Sequence, residues 1–429
     1  MRVLILGSGA REHALCWSAS RSPQLETLYC APGNGGTAQL AENIALAPMD
    51  FEACAAWAER NAIDLTIVGP DDPLGGGIVD VFQARGLRVF GPHQAAARIE
   101  SSKAFAKQLM LEAGVPTAPA HVFNDRVQAE MYLDRYAAED GRYPLVIKAD
   151  GLATGKGVFI ARDIAEARDA LDALMVARTV GAAGETVLIE DYLQGMELSL
   201  FALTDGERVV SLVPACDYKR AYDDDEGPNT GGMGAYSPPR FATPALLAHV
   251  EARILKPTVA ALARQGPPFR GLLYAGLILT ENGPYVLEFN ARFGDPETQV
   301  VLPRLEGDLL QLCSAVADGK LDRVPAPRWT AEAACGVVLA SEGYPGPYEK
   351  GHEITGLDAL DGDILVFHAG TRWGPDGRLV TSGGRVLTLV ARGASVAEAR
   401  ARVYANVERV RFQGARWRSD IGAREHLTP

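Results

Sequence analysis

No stretch of the 429 residues approaches the roughly 20 consecutive apolar residues that span a bilayer, so no membrane partner is expected. The six cysteines (Cys16, Cys30, Cys54, Cys216, Cys313, Cys335) contain no C-x-x-C pair. The seven histidines contain no H-E-x-x-H pattern. Zinc and thiol redox chemistry are therefore not expected, and the cysteines read as reduced core residues. A basic excess is missing as well: the formal net charge is −12. That argues against non-specific nucleic-acid binding, which needs a basic footprint, but leaves small nucleotides open. Residues 1–7 look like a short buried strand without the longer apolar core of a signal peptide, and a cytoplasmic location is expected. There is no internal repeat and no long low-complexity tract.

What remains is ordinary globular material, 47% hydrophobic and 22% charged, long enough for two to four domains of about 100–200 residues. The first hundred residues alternate strand-like runs (3–6, 27–30, 65–68, 87–90) with helical stretches, and each strand ends in a Gly- or Pro-rich loop. This predicts a parallel sheet with ligands at the carboxyl ends of its strands. A helix over about 101–112 opens a second region and carries Lys103 and Lys107 on one face. Strand and helix signals then mix up to about residue 320, with helical stretches near 243–264 and 304–318. Pro325 and Pro327 mark a linker. Strands near 334–340, 363–368 and 385–391 and a helix from about 395 to 410 read as a separate small α+β domain. The expected fold class is thus α/β and α+β, in several domains.

The most informative stretch is 288–299. It follows a strand-like run, so Glu288 and Asn290 share a face, and a carboxylate beside an amide oxygen suits a hard cation. Arg292, Asp295 and Glu297 follow closely. Taken alone, a salt-bridged loop explains these charges equally well. Gly7 and Gly9 begin a dinucleotide fingerprint that fails at Glu12 and lacks the acidic residue after the second strand. The turn still frees backbone N–H groups at a helix start, beside Arg11. A phosphate-bearing small molecule and a merely tight turn both fit.

Residues 150–158 place Gly151, Gly155 and Gly157 around Lys156, a pattern for a flap over phosphates. The Walker spacing fails, because Gly157 stands where Ser or Thr should be; a glycine-rich hairpin with solvated lysines is the alternative. Lys148 lies among apolar residues and needs a partner, for which a phosphate is suitable. Glu190 and Asp191, followed by Leu193 and Glu197, close a strand in a way that can serve adenine and ribose, or simply face solvent. Asp217, Lys219 and Arg220 precede a glycine-rich loop (223–234). The two adjacent cations can hold an anion, and a plain surface loop fits too.

Together these segments resemble the ATP-grasp superfamily, and within it the glycinamide ribonucleotide synthetase (phosphoribosylamine–glycine ligase) family. The resemblance rests on residues 292–299 and 228–238, with 147–153 and 7–13 in support, and runs from Met1 to about Gly422 in family order. It implies an N-terminal parallel-sheet domain (1–100), an ATP-grasp core of two α+β lobes (101–325, its lid at about 121–192) and a small C-terminal α+β domain (328–429). The implied activity joins glycine to 5-phosphoribosylamine with ATP in purine synthesis, through a glycyl phosphate. By resemblance Glu288 and Asn290 hold magnesium or manganese, and Lys148, Lys156 and Arg292 offset developing charge. Lys103, Lys148, Gly151, Gly155, Lys156, Gly157, Glu190, Asp191, Leu193 (backbone) and Glu197 contact ATP. Gly9, Arg11, Glu12, Asp217, Lys219, Arg220, Asp295 and Glu297 face the other substrates. A monomer is favoured.

Three positions depart from the family pattern: Tyr218 and Cys216 replace His and Gln, and Asp71 stands where Glu is common. Residues 272–279 offer no second carboxylate ligand, so a second ion would depend on Glu297, phosphates or water. The rival readings are another ATP-grasp carboxylate–amine ligase, set aside by residues 217–238, and a nucleotide sensor without catalysis, set aside by Glu288, Asn290 and Arg292. An NAD-dependent oxidoreductase is disfavoured by the incomplete fingerprint at Gly7.

Overall fold

The computed structural model describes residues 1–139, 141–153 and 157–426. Five parallel strands open the chain: β1 (Arg2–Gly7), β2 (Thr27–Pro32), β3 (Glu42–Asn43), β4 (Leu65–Val68) and β5 (Val89–Phe90), in the order β3-β2-β1-β4-β5. Val3 to Leu6 and Leu65 to Val68 are buried throughout, as continuous apolar runs in a doubly covered parallel sheet must be. Four of these strands match the sequence pattern. The two-residue β3 is too short to show a period of two. The carboxyl ends of β1, β2 and β4 bring the glycine turns at 7–9, 33–36 and 69 to one edge, and the helix α1 (Ala10–Ala19) starts there.

A second sheet is antiparallel and ordered Ala120–Phe123, Val187–Asp191, Leu145–Ala149, Val158–Ala161, within the stretch expected to form a lid. The helices Arg126–Glu139 and Ile164–Leu171 pack on it around a core of its own, centred on Leu133, Ile147, Leu171 and Ile189. The second lobe is an antiparallel sheet ordered Val209–Ser211, Met196–Thr204, Gly271–Thr280, Gly283–Asn290. The helices Lys103–Ala113 and Lys256–Gln265 lie against each other and support this lobe. The helical stretch expected near 243–264 divides into Pro244–Val250 and Lys256–Gln265 around a π turn at Glu251–Leu255. Pro257 has no N–H to give the ladder, which accounts for the irregular turn before it.

The C-terminal block is less separate than its sequence suggests. Its sheet runs Cys216–Asp217, Gly234–Ser237, Ala333–Ser341, Arg385–Gly393, Leu365–His368, so two strands come from the glycine-rich loop region. Strands of two and four residues beside so many glycines give no sequence signal. The consequence is functional: the 217–234 loop is clamped to the C-terminal sheet. The helix Val396–Val407 covers that sheet, with Ser395 capping it by accepting the Glu398 N–H.

Candidate active site

Two lysines, Lys107 and Lys148, converge on one buried carboxylate, and Lys103 lies nearby. Glu190 ends a lid strand and is 4% exposed. It receives Lys148 Nζ at 2.8 Å on one oxygen and Lys107 Nζ at 3.2 Å on the other. Lys148 also donates to the Leu287 carbonyl at 3.2 Å, bridging the lid to the strand that carries Glu288. Lys107 donates to Thr117 Oγ1 and the Ala118 carbonyl. The partner of Lys148 is thus a carboxylate, where the sequence pointed to a phosphate. Burial, then the nearby Lys148 charge, lowers the Lys107 pKa against the pull of Glu190. Lys103 is lowered chiefly by burial, with Glu288 opposing and Lys148 adding to the shift. A buried cationic cluster of this kind suits a polyanion.

Lys103 donates to the Gly151 carbonyl at 2.9 Å. Asp150 takes the Ala104 N–H and the Ser102 hydroxyl, so the base of the 150–158 segment is tied to the helix carrying Lys103 and Lys107. Gly151 has φ +146°, and a Cβ there would lie 2.8 Å from that of Ala183; only glycine fits. Gly157 accepts the Ala149 N–H. Gly155 and Lys156 lie outside the described residues. Asp191 and Glu197 are exposed, and Leu193 sits in the connector between the lid sheet and the strand Met196–Thr204.

Glu288 and Asn290 end the strand Gly283–Asn290, opposite Gly276 and Tyr274. A Cβ on Gly276 would stand 3.2 Å from Glu288 Cγ, so glycine leaves room for the carboxylate. Asn290 Oδ1 accepts from Arg292 Nη2 at 3.1 Å and keeps a second lone pair. Among the described residues, no group of three His, Cys, Asp or Glu could hold a metal ion. One carboxylate and one amide oxygen nevertheless fit an ion whose other ligands are phosphates and water, the usual arrangement for magnesium with a nucleotide.

Beyond Asn290 the chain enters a dense charge network. Arg292 Nη2 pairs with Glu100 Oε1 at 3.0 Å. Asp71 is near enough that Arg292 and Arg11 lower its pKa against burial. Glu297, 2% exposed, accepts the Tyr274 hydroxyl at 2.6 Å, and Tyr274 meets Ser199 Oγ at 2.8 Å. Ser199 donates to Asp217, which Lys219 also contacts at 2.9 Å while reaching Glu197. Burial, reinforced by Asp217, pushes the Glu297 carboxyl up to about 7. Its other oxygen is buried without a partner among the described residues. Lys219 reaches Asp217 and Glu197, whereas Arg220 donates to the Gly227 carbonyl.

A cleft of about 650 Å³ is lined by Ser8, Gly9, Asn34, Thr371, Arg372 and Arg385 among others; Asp295 adjoins this lining through its pair with Arg385. Its Oδ2 is 3.4 Å from the position a Cβ on Gly9 would take. The cleft lies where the carboxyl ends of β1 and β2 meet the C-terminal block. Of the predicted 7–13 loop, Gly9 faces it. Glu12 is spent internally: it accepts the Gly9 N–H at 2.6 Å and pairs with Arg11. Cβ atoms on Gly7 and Gly69 would overlap it. Two glycines of this edge thus make room for a buried carboxylate. Arg11 also donates to the Phe293 carbonyl, joining the loop to the 292–299 segment.

The family departures have structural reasons. Tyr218 is buried, its hydroxyl accepts the Gly422 N–H at 3.0 Å, and Arg418 lies over its ring, so it fastens the C-terminal segment. Cys216 Sγ donates to the Glu197 carbonyl. The sequence reading missed Glu100, Lys107 as a Glu190 partner, Ser199, Tyr274 and Arg385. Arg385 lies far from the motifs in sequence, and Glu100 precedes the helix that carries Lys103 without a pattern of its own. Tyr274 sits in an apolar strand, where a lone tyrosine among residues 272–279 was the available signal.

Three family models match the chain: the N domain of phosphoribosylglycinamide synthetase over residues 1–100, its ATP-grasp (A) domain over 101–298 and its C domain over 334–424. A phosphoribosylamine–glycine ligase of Caldanaerobacter subterraneus is 48% identical over 423 residues, covering 99% of this chain and 100% of the relative. The crystal structure of phosphoribosylamine–glycine ligase from Thermotoga maritima matches with a TM-score of 0.83 at 35% identity, over 98% of this chain and 100% of that one. The fold is shared more widely. The biotin carboxylase domain of the Hydrogenobacter thermophilus 2-oxoglutarate carboxylase, solved with MgADP, matches at 19% identity with a TM-score of 0.73, over 97% of this chain and 91% of that one.

Proposed function

The chain belongs to the phosphoribosylglycinamide synthetase family, and on that premise we propose how its residues join glycine to 5-phosphoribosylamine. The reaction is an ATP-dependent ligation in purine biosynthesis. It gives glycinamide ribonucleotide, ADP and phosphate.

A carboxylate is a poor electrophile, so a glycine oxygen first attacks the γ-phosphorus of ATP. This gives glycyl phosphate, and ADP leaves. The amine of phosphoribosylamine then attacks the acyl carbon, inorganic phosphate leaves, and the nitrogen loses a proton. The first step needs alignment and charge neutralisation more than covalent help. Lys103 and Lys148, with Lys156, offset the phosphate charge; Lys107 and Glu190 hold Lys148 in place. The connector at Asp191 and Leu193 serves the adenine edge, and Glu190 and Glu197 the ribose. Glu288 and Asn290 would hold a divalent ion, magnesium or manganese, which when bound supplies alignment and charge for the phosphates. Arg292, fixed by Glu100 and Asn290, faces the transferring group. The acceptor occupies the cleft between Gly9 and the C-terminal block, with Asp217, Lys219, Asp295 and Glu297 behind it.

The observation that carries this reading is the continuity of residues 288–299. Glu288 lies near Lys103 of the lysine cluster, Asn290 accepts from Arg292, and Asp295 pairs with Arg385 of the cleft wall. We divide the chain at 1–100, 101–325 and 328–429, with the lid at about 121–192; the lid's separate apolar core favours treating it as a unit. Six buried, unpaired cysteines suit a reducing cytoplasm. We take a monomer as the working unit.

Purified protein is given ATP, Mg²⁺, glycine and freshly generated phosphoribosylamine. ADP should accumulate through repeated turnovers only when both glycine and the amine are present. ADP release with another carboxylate, and none with glycine, would overturn the reading.

A further inference from the structure

Arg385 belongs to none of the segments that carry the family motifs, yet it touches two of them. It is the first residue of the strand Arg385–Gly393, at a register irregularity opposite Ala340. Bulges of this kind re-aim a side chain. Here the guanidinium leaves the C-terminal sheet and enters the wall of the cleft. Its Nη1 donates to the Gly231 carbonyl at 2.5 Å, the Asp295 carbonyl at 3.2 Å and Asp295 Oδ1 at 3.3 Å, and Nη2 donates to Asp295 Oδ2 at 3.2 Å. A Cβ on Gly231 would sit 2.9 Å from the guanidinium carbon, so the loop backbone is glycine where the arginine passes. The planar fork meets the carboxylate through both nitrogens, a geometry lysine cannot copy.

Asp295 is held from a second side. Gln299 Nε2 donates to Oδ1 at 2.7 Å. Oδ1 therefore takes both Gln299 and Arg385, whereas Oδ2 takes one guanidinium N–H and keeps a lone pair on the side of Gly9 and the cleft. A primary amine attacking an acyl carbon must present its own lone pair. A carboxylate oxygen that accepts one of its N–H bonds, without taking the proton, sets that direction.

We propose that Arg385 is a positioning residue for the acceptor: it fixes the Asp295 carboxylate so that Oδ2 accepts an N–H of the attacking amine of phosphoribosylamine. This rests on the ligase reading above. It assigns the C-terminal block a part in the second chemical step, through a residue outside the ATP site.

The test compares wild type with Arg385→Gln, Arg385→Lys, Asp295→Asn and the double variant Arg385→Gln/Asp295→Asn. For each, kcat and the KM values for ATP, glycine and phosphoribosylamine are measured, with the melting temperature alongside. Arg385→Gln should raise the KM for phosphoribosylamine or lower kcat by about tenfold to a hundredfold, the factor carried by one or two lost charge-assisted hydrogen bonds. The KM for ATP should stay within about twofold. Arg385→Lys keeps the charge without the fork and should remain impaired. The double variant should be no worse than Asp295→Asn alone, since both act through one carboxylate. The proposal is overturned if Arg385→Lys behaves as wild type, if the two losses add, or if the KM for ATP rises in step with that for the amine. Wild-type protein that makes no ADP with glycine and the amine would instead sink the ligase reading itself.

Discussion

Arg292 Nη2 lies 3.0 Å from Glu100 Oε1, and the other Glu100 oxygen takes the Ala291 N–H at 2.7 Å. One buried carboxylate therefore sets both the backbone at the end of the metal-side strand and the guanidinium that follows it. Burial pushes Glu100 up to about 7, against the pull of Arg292. For Arg292 burial opposes the charge, and Glu100 with Asp71 more than restores it. The pair couples the placement of Arg292 to that of Asn290, which accepts from the same guanidinium.

Glu100→Gln keeps an acceptor for the Ala291 N–H but removes the charge facing Arg292. Loss of a charge-assisted hydrogen bond costs about 1–3 kcal/mol, which here falls on catalysis as much as on stability. The expected outcome is a kcat lowered about tenfold or more, with the KM for ATP nearly unchanged. Steady-state kinetics at saturating ATP and glycine decide this. A variant with wild-type kcat would mean that Arg292 is positioned by other groups.

Glu288→Ala and Asn290→Ala are each expected to abolish turnover while leaving the fold intact, because both side chains sit at a strand end opposite Gly276 and Tyr274 and neither belongs to an apolar core. Raising the Mg²⁺ concentration should recover more activity in Asn290→Ala than in Glu288→Ala, since an amide oxygen is the weaker ligand for a hard cation. Titration of activity against Mg²⁺, with circular dichroism as the folding control, checks both. Near-normal activity of either variant at limiting Mg²⁺ would remove it from the metal site.

The strand–loop alternation of the first hundred residues and the shared face of Glu288 and Asn290 were legible because both follow from short periods in sequence. The pairing of Lys148 with Glu190 was not: the sequence marks a buried lysine in need of a partner, but partner choice is made across a sheet, between strands about forty residues apart. The attachment of Cys216–Asp217 and Gly234–Ser237 to the C-terminal sheet was hidden for a related reason. Such short strands are specified by their neighbours, not by their own alternation. Glu12 illustrates the opposite case. Its presence breaks the glycine fingerprint, and the glycines at 7 and 69 clear space for its side chain.

Glu297 gives a pH dependence with a definite sign. Its carboxyl rises from 4.5 to about 7 because of burial and the neighbouring Asp217. The folded chain therefore holds this proton more tightly than the unfolded chain does. Stability from this group is present below 4.5 and is lost as pH rises through about 7. Glu297→Gln removes the titration, so the difference in unfolding free energy between variant and wild type should shift in the variant's favour between those two values and level off above them. Denaturant melts at several pH values measure it. A difference that stays flat across the window would mean that Glu297 titrates as an ordinary carboxylate. On the proposed placement of Glu297 behind the acceptor, activity of the variant should fall regardless.

Gly69→Ala tests whether the glycines of the N-terminal edge serve Glu12. The new Cβ would lie 2.1 Å from Glu12 Oε1 and 2.7 Å from its carboxyl carbon, closer than any real contact, so Glu12 must leave. The Gly9 N–H then loses its acceptor and Arg11 its partner. A melting temperature lowered by several degrees is expected, from a loss of about 1–3 kcal/mol, together with a raised KM for phosphoribosylamine, because Gly9 lines the acceptor cleft. The KM for ATP should hold, since the lysine cluster lies in the other lobes. Glu12→Ala removes the group with which the methyl collides, so Gly69→Ala/Glu12→Ala should be no less stable than Glu12→Ala alone. A double variant that loses the sum of both single effects would place the need for Gly69 in its backbone and not in the room it leaves for Glu12.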